Sequence, residues 1–387
     1  MQRRVPIGVG LGALLLLVAP VRSFAVPAGL AAEITTVDSE SGVGSFTGIV
    51  RGTDGLGLIS YYDAAHGHLK VAHCSNLSCS SATAATIDGD GIVGLDTSIA
   101  IGADGLGLIS YLDYTHDDLK VAHCVDVPCS RASTTTLDAA GTVGAFTSIT
   151  IGVDGRGLIS YFDDTHQNLK VAHCSDVGCS KATTTTVDPD KGVGALTSIT
   201  VGSDGLGLVS YLDFTNGDLK VLHCSNLECS ASTTTRVDTV GIVGDSSSIT
   251  VGTDGLGLVS YRDATNNALK TAHCLNLRCS IATTATVDRG LGAIADPTSL
   301  RVGADGLGLI SYLDGSKGHL NVAHCLDPSC SAAAVATLDA SAKVGFYPSL
   351  MLGADSLGLI SYYDEKNEKL KVAHCATTPC FSGLVGP

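Results

Sequence analysis

Gly102-Ala103-Asp104-Gly105-Leu106-Gly107-Leu108-Ile109-Ser110-Tyr111 decides the fold, because the chain writes it seven times with small changes, beginning at Gly52, Gly102, Gly152, Gly202, Gly252, Gly303 and Gly353. A second block, Leu-Lys-Val-Ala-His-Cys or a close variant, follows about seventeen residues later and closes each unit's central part. One extra residue near Gly290 accounts for the single longer step. Self-similarity at a fixed period of about fifty residues is the mark of a repeat architecture.

One unit reads as four strands. Ser98 to Ile101 is the first, and Ala103-Asp104-Gly105 turns the chain, since Gly accepts the positive φ that a tight hairpin demands. Leu106 to Leu112 is the second strand, Asp113 to Asp118 a polar loop, Leu119 to Cys124 the third strand and Cys129 to Leu137 a Thr-rich fourth. Leu106, Leu108, Ile109, Leu119 and Val121 make the middle strands apolar on both faces, as befits strands pressed between neighbouring sheets. Four strands per unit in tandem predict an all-β, seven-bladed β-propeller of four-stranded blades. A parallel β-helix is the rival architecture, but its coils are shorter and lack Asp-Gly hairpins.

The two ends of the repeat complement each other. No Thr-rich strand follows Cys380, whereas Glu33-Ile34-Thr35-Thr36-Val37-Asp38 matches Ser133 to Asp138 ahead of the first full unit. The early segment is therefore expected to serve as the outer strand of the last blade, closing the ring and removing a free sheet edge.

Composition agrees: 46 Gly, no Trp, 5% aromatic residues and abundant Thr, Val, Ile and Leu favour short strands and tight turns. Residues 1–25 read as an export signal, with Arg3 and Arg4 ahead of the apolar run Val9 to Ala19 and small residues at Ser23 and Ala25. An uncleaved membrane anchor is the alternative. Residues 26–32 then form a short linker and 33–387 the propeller, secreted, periplasmic or held at the cell surface, with no membrane span after cleavage. Loss of three arginines with the signal takes the net charge from −15 to −18, which excludes nucleic acid as a partner and suits anionic membranes poorly.

All 14 cysteines fall in seven Cys-x4-Cys pairs: Cys74/Cys79, Cys124/Cys129, Cys174/Cys179, Cys224/Cys229, Cys274/Cys279, Cys325/Cys330 and Cys375/Cys380. Facing positions of a hairpin are about 5.5 Å apart, a span that a disulfide bridges, and an exported chain meets oxidising conditions. Zinc is the alternative, but the adjacent His123 and Cys124 point to opposite faces of a strand and cannot easily share one ion. No metal site and no cofactor is expected.

A structural polar set is expected in every blade, because buried Tyr and His require partners. It comprises Tyr61 with His73, Tyr111 with His123, Tyr161 with His173, Tyr211 with His223, Tyr261 with His273, Tyr312 with His324 and Tyr362 with His374. This set resembles in role the polar network of WD-type propellers. Seven catalytic histidines are the competing reading, and seven identical copies suit a structural task better.

The units differ in their second-to-third-strand loops and interblade links, which include Asp188-Pro189-Asp190 and Asp96. Loops that vary on a fixed frame are where recognition is carried. One loop position reads His66, His116, His166, Asn216, Asn266, Lys317 and Asn367, and these are the candidate ligand-binding residues. Candidate exposed aromatics are Tyr62, Tyr114, Phe162, Phe214 and Tyr363. Calcium is a side possibility, yet Asp104 and its equivalents are explained by the turn and no Asp-x-Asp-x-Asp-Gly loop is present.

The repeat, Gly-x-Asp-Gly-Leu-x-Leu-Ile-Ser-Tyr-x-Asp with Leu-Lys-Val-Ala-His-Cys, resembles secreted bacterial repeat proteins to which no activity is assigned. In architecture the chain is also distantly similar to the sialidase-type superfamily. That resemblance implies three arginines holding a substrate carboxylate and a Tyr-Glu pair with an acid. Here Arg51 and Arg301 occupy different places in their repeats, while Arg131, Arg156, Arg262, Arg278 and Arg289 are scattered, and the Ser-x-Asp-x-Gly-x-x-Trp box is absent. The residues thus argue for a monomeric, non-enzymatic binding or adhesion propeller recognising glycans or a cell-surface protein. A purely structural extracellular protein and a glycan-active hydrolase with a central-channel site are the alternatives.

Overall fold

A computed structural model describes residues 31–292 and 297–380. Residues 1–25, which the sequence marks as an export signal, lie outside it, as do most of the linker and the last seven residues. The described chain forms 28 strands and seven four-stranded antiparallel sheets. Six of these sheets run in simple sequence order, such as β6 (Val93–Ile101), β7 (Gly107–Asp113), β8 (Asp118–Cys124) and β9 (Ala132–Asp138). The seven-bladed propeller read from the repeat is the fold.

The inner strand is longer than its sequence suggested. β6 begins at Val93, five residues before Ser98, so residues 93–97 belong to the channel wall and not to an interblade link. The reason is a bulge: register shifts at Leu95/Ser98, and Asp96 takes a φ of 50°. The fourth strand starts later than expected, at Ala132, because the turn after Cys124 uses three more residues.

Ring closure follows the expected route. β1 (Ala32–Asp38) pairs with β28 (Lys369–Cys375), from Ala32 opposite Cys375 to Asp38 opposite Leu370, and completes the sheet of β26 (Val344–Leu352), β27 (Gly358–Asp364) and β28.

Middle strands bury both faces between blades. One interface cluster joins Leu58, Leu69 and Val71 of the first blade to Val93, Ile109, Tyr111 and Ala122 of the second. Two polar devices reinforce most junctions. Tyr111 Oη donates to Asp88 Oδ2 at 2.7 Å and Lys120 Nζ donates to the same oxygen at 2.6 Å, although Asp88 ends the outer strand of the preceding blade. This Tyr–Asp–Lys set recurs at Asp38, Asp138, Asp188, Asp238 and Asp339. At the sixth blade Asn321 stands where the lysine would be, and Tyr312 is the one side chain among the described residues that donates to Asp288, beside the Arg289 N–H.

The second device is a belt of serines around the channel. Ile149 N–H donates to Ser98 Oγ at 3.2 Å, and the same bond joins five further junctions, which satisfies edge-strand donors that no neighbouring strand can reach. Gly48 interrupts the belt, since it offers no hydroxyl to Ile99.

All seven cysteine pairs are disulfide-bonded, with Cα separations of 4.7 to 4.9 Å. The pairing is the expected one, but the geometry corrects the facing-strand reading. The first cysteine of each pair ends a third strand, as Cys124 ends β8. The second cysteines, namely Cys79, Cys129, Cys179, Cys229, Cys279, Cys330 and Cys380, do not open a fourth strand opposite it. They sit buried in the intervening turn with a left-handed φ between 50° and 69°. Each donates its N–H to the carbonyl three residues earlier: Cys79 to Asn76, Cys129 to Asp126, Cys179 to Asp176, Cys229 to Asn226, Cys279 to Asn276, Cys330 to Asp327 and Cys380 to Thr377. The physical reason is span: four intervening residues make one compact turn, and the chain re-enters the sheet only after it. Each bond therefore closes a tight loop at a strand end.

Candidate functional site

The ring has two ends. Hairpin turns of the Asp104 type and the disulfide loops share one; the second-to-third-strand loops and the interblade links share the other, as Val93 N–H donating to Gly67 O shows.

At the disulfide end every repeat histidine pairs with the hairpin aspartate of its own blade. His123 Nε2 donates to Asp104 Oδ2 at 2.8 Å, while Asp104 Oδ1 accepts Leu106 N–H at 3.1 Å. The other six pairs lie between 2.6 and 2.9 Å. Tyrosine and histidine are therefore not one network: the tyrosines join blades through Tyr–Asp–Lys sets, and the histidines fasten hairpins. Among the described residues no group of three or more His, Cys, Asp or Glu is arranged to hold a metal ion.

At the opposite end the proposed ligand-binding side chains each fasten an aspartate at the end of the second strand. His66, His116 and His166 approach Asp63, Asp113 and Asp163 at 2.9 to 3.0 Å. Asn216, Asn266 and Asn367 donate to Asp213, Asp263 and Asp364 at 2.8 to 2.9 Å, and Lys317 lies 3.3 Å from Asp314. The hydrogen bond to Asp113 raises the His116 imidazole above its ordinary value. These side chains stay largely in solvent, His166 at 63% exposure, so they brace their loops and still present an outer edge. Of the aromatics expected at the surface, Tyr114 and Phe214 are exposed, Tyr62 and Tyr363 half-buried, and Phe162 is buried.

The sequence showed no place where the sevenfold symmetry breaks around a cavity; the structure has one. A cavity of about 330 Å³ occupies the central channel, at the lower end of the range for ligand pockets. Its wall is built from the bulged inner strands, whose equivalent position carries Phe46, Asp96, Phe146, Leu196, Ser246, Pro297 and Tyr347. All but Pro297 hold a left-handed φ between 49° and 57°, a conformation that costs a non-glycine residue on the order of 1–2 kcal/mol. The neighbouring position, a threonine in five blades, and the serine belt hardly vary. Frame residues repeat, and the residues at the channel mouth do not.

Among the described residues two charged side chains line this cavity, Asp96 and Arg301. Asp96 Oδ2 accepts Phe146 N–H at 2.8 Å, and the described residues give Oδ1 no partner. Burial pushes its carboxyl up from 3.8 to about 6, against the smaller opposing effect of the Phe146 N–H. Arg301 stands where Thr150, Thr200 and Thr250 stand in other blades. Its guanidinium donates at 2.8 Å to Leu300 O, forms no ion pair among the described residues, and is exposed to the lumen; the narrow channel around it lowers its ordinary value only through desolvation. Phe46 and Tyr347 pack at 4.5 Å between ring centroids, next to Asp96 on one side, with Phe146 on the other.

No family model and no curated protein matches the sequence. Among solved structures, hydrazine synthase from Kuenenia stuttgartiensis is similar over 88% of this chain and 98% of its own, with 12% identity and a TM-score of 0.60. An alpha-L-arabinofuranosidase from Fusarium graminearum, in complex with an iminosugar inhibitor, matches 91% of this chain and 99% of its own at 10% identity and TM-score 0.52. A sialidase from Streptococcus pneumoniae matches 92% of this chain and 71% of its own at 8% identity and TM-score 0.51. At these identities the likeness shows the propeller fold alone.

Proposed function

We propose that this chain is a binding propeller that holds one small ligand at the mouth of its central channel, on a rigid disulfide-stapled ring. The observation that carries this reading is the contrast within the repeat. Seven copies largely keep their core, belts and turns, yet differ at the mouth position where they converge on a shared cavity, which holds a carboxylate without an ion-pair partner among the described residues. The seven disulfides fit an oxidising compartment, so the ligand is a solute, a glycan or a surface group met outside the cytoplasm.

A second reading keeps the braced outer loops as several equivalent weak sites, where multivalency supplies avidity. It rests on the exposure of His66, His116, His166 and Lys317, each at 60 to 63%. Hydrolysis is less well supported. Asp96, held near 6, suits a general acid, but it is the one carboxylate among the described cavity residues, and glycoside hydrolysis ordinarily uses two. The sialidase pattern of three arginines is represented in the described wall by Arg301 alone.

The experiment is a glycan and small-molecule binding screen on the oxidised protein, repeated with Asp96→Asn/Phe146→Ala and with His66→Ala/His116→Ala/His166→Ala. Binding lost in the first variant and kept in the second supports the channel. The reverse supports the loops and removes the channel reading.

A further inference from the structure

We infer that the channel ligand is a small zwitterion, its ammonium group seated at Asp96 among Phe46, Phe146 and Tyr347 and its anionic group directed to Arg301. This deepens the proposed binding function and rests on it.

Opposite charges share one cavity without pairing. A carboxylate and a guanidinium free to meet would gain from doing so, and each would perturb the other. Neither does: among the described residues Asp96 meets only the Phe146 N–H and Arg301 only Leu300 O, and no ion pair contains either. Their positions explain the separation. Asp96 is on the second blade and Arg301 on the sixth, nearly across the ring. Arg301 is also four positions further along its strand than the mouth residue Pro297, a rise of about 13 Å in extended chain. Each charge therefore keeps unfilled hydrogen-bonding capacity facing one lumen, Asp96 half-buried and Arg301 exposed to it, and a complementary ligand would fill both.

Aromatic rings decide which end goes where. Phe46, Phe146 and Tyr347 belong to the same ring position as Asp96, and aromatic faces attract cations, alkylated ammonium groups above all. Arg301 lies two residues beyond the belt serine Ser299, lower in the wall, and its open donors suit carboxylate, sulfonate or phosphate. A cation alone would leave Arg301 unmet, and an anion alone would leave Asp96 so. No copy of the repeat but the second has a carboxylate at the mouth position, and no copy but the sixth has arginine at the lower one. Substitutions toward the residues of other blades are consequently compatible with the frame.

The test is calorimetric titration of the oxidised full chain at pH 7.5 with phosphocholine, glycine betaine and taurine. Choline and 3,3-dimethylbutyl phosphate serve as partners lacking one charge. At least one zwitterion is expected to bind about ten-fold more tightly than either single-charge probe, the worth of one charge-assisted contact. Arg301→Thr, which copies three other blades, should erase the preference over choline. Asp96→Asn should erase the preference over dimethylbutyl phosphate. Sedimentation with phosphatidylcholine vesicles, competed by free phosphocholine, would assign the zwitterion to a lipid headgroup; binding without sedimentation would assign it to a solute. Failure of all three zwitterions to bind at 10 mM overturns the inference, as does binding that ignores either substitution. If neutral saccharides bind in an Asp96- and Phe146-dependent way while zwitterions do not, the zwitterion is wrong and the channel site stands. If neither class binds there, both fall.

Discussion

Replacing Asp96 by asparagine should stabilise the protein at neutral pH, and the gain should vanish in acid. The carboxyl sits at about 6 in the folded ring against 3.8 in an unfolded chain, so folding favours its protonated form. The resulting destabilisation is complete above about pH 6, where both states are ionised. It disappears below about pH 3.8, where both are protonated. A gap of about two pH units corresponds to about 3 kcal/mol, and lumen water accessible to the half-buried side chain reduces this to about 1–3 kcal/mol. The substituted amide keeps the shape, still accepts the Phe146 N–H and tolerates the left-handed φ of this position. With an unfolding entropy of about 2.1 cal/mol/K per residue over a ring of about 350 residues, the variant should melt about 1.5–4 °C higher at pH 8 and within about 0.5 °C of the parent at pH 3.5. Scanning calorimetry of both proteins from pH 3.5 to 8 reads this directly. A difference that does not change with pH, or a variant less stable than the parent at pH 8, would show that Asp96 is not held as an unpaired charge. It would also take away the argument that a stability cost is retained there for recognition.

Three further outcomes are expected. Asn321→Lys should complete the sixth Tyr–Asp–Lys set: Asp288, now pushed up by burial, gains a counter-ion, and chemical denaturation should show about 1 kcal/mol of added stability. Lys371→Met should cost about 3 kcal/mol at pH 7, because Asp339 is then a buried charge without its cation. Burial raises the Asp339 carboxyl, but hydrogen bonds from Lys371, Ser341 and Tyr362 outweigh it and hold it at about 2; the stability they supply is present above 3.8 and lost as pH falls through 2, so parent and variant should converge in acid melts. Deleting residues 32–38 should lower the melting temperature by more than about 10 °C, since it strips the last blade of its outer strand and the first of Asp38; an unchanged value would refute closure through β1.

The ring was legible because period, Asp-Gly hairpins and the stray Glu33–Asp38 segment all point to one topology. Partners were not, because they cross between elements. The Asp104 side chain has a local explanation in its turn, and only the folded hairpin shows that its second oxygen meets His123. Tyr111 reaches an aspartate 23 residues earlier, in the previous blade, which no single-unit reading can find. The cysteines were paired correctly from spacing and compartment, yet the left-handed turn that seats Cys79 or Cys179 is invisible in a residue type with no preference for it. The channel mouth was missed for a specific reason. Residues 93–97 do not alternate like a strand, because the bulge at Asp96 breaks the period of two, so they read as a link. Setting the seven copies against each other and asking where they disagree beside a largely kept Thr-Ser pair would have exposed Phe46, Asp96, Phe146 and Tyr347.

β1 pairs with β28, so the earliest described strand to leave the ribosome waits for the final one. Six blades can assemble in order as the chain emerges, each leaning on its predecessor, but the seventh joins the first described strand to the last. Until then the nascent molecule is an open arc with two raw flanks and a channel lacking part of its wall. The cavity and its pair of opposed charges are enclosed on every side only once that joint is made, so the far ends of the described chain jointly determine whether the channel exists at all.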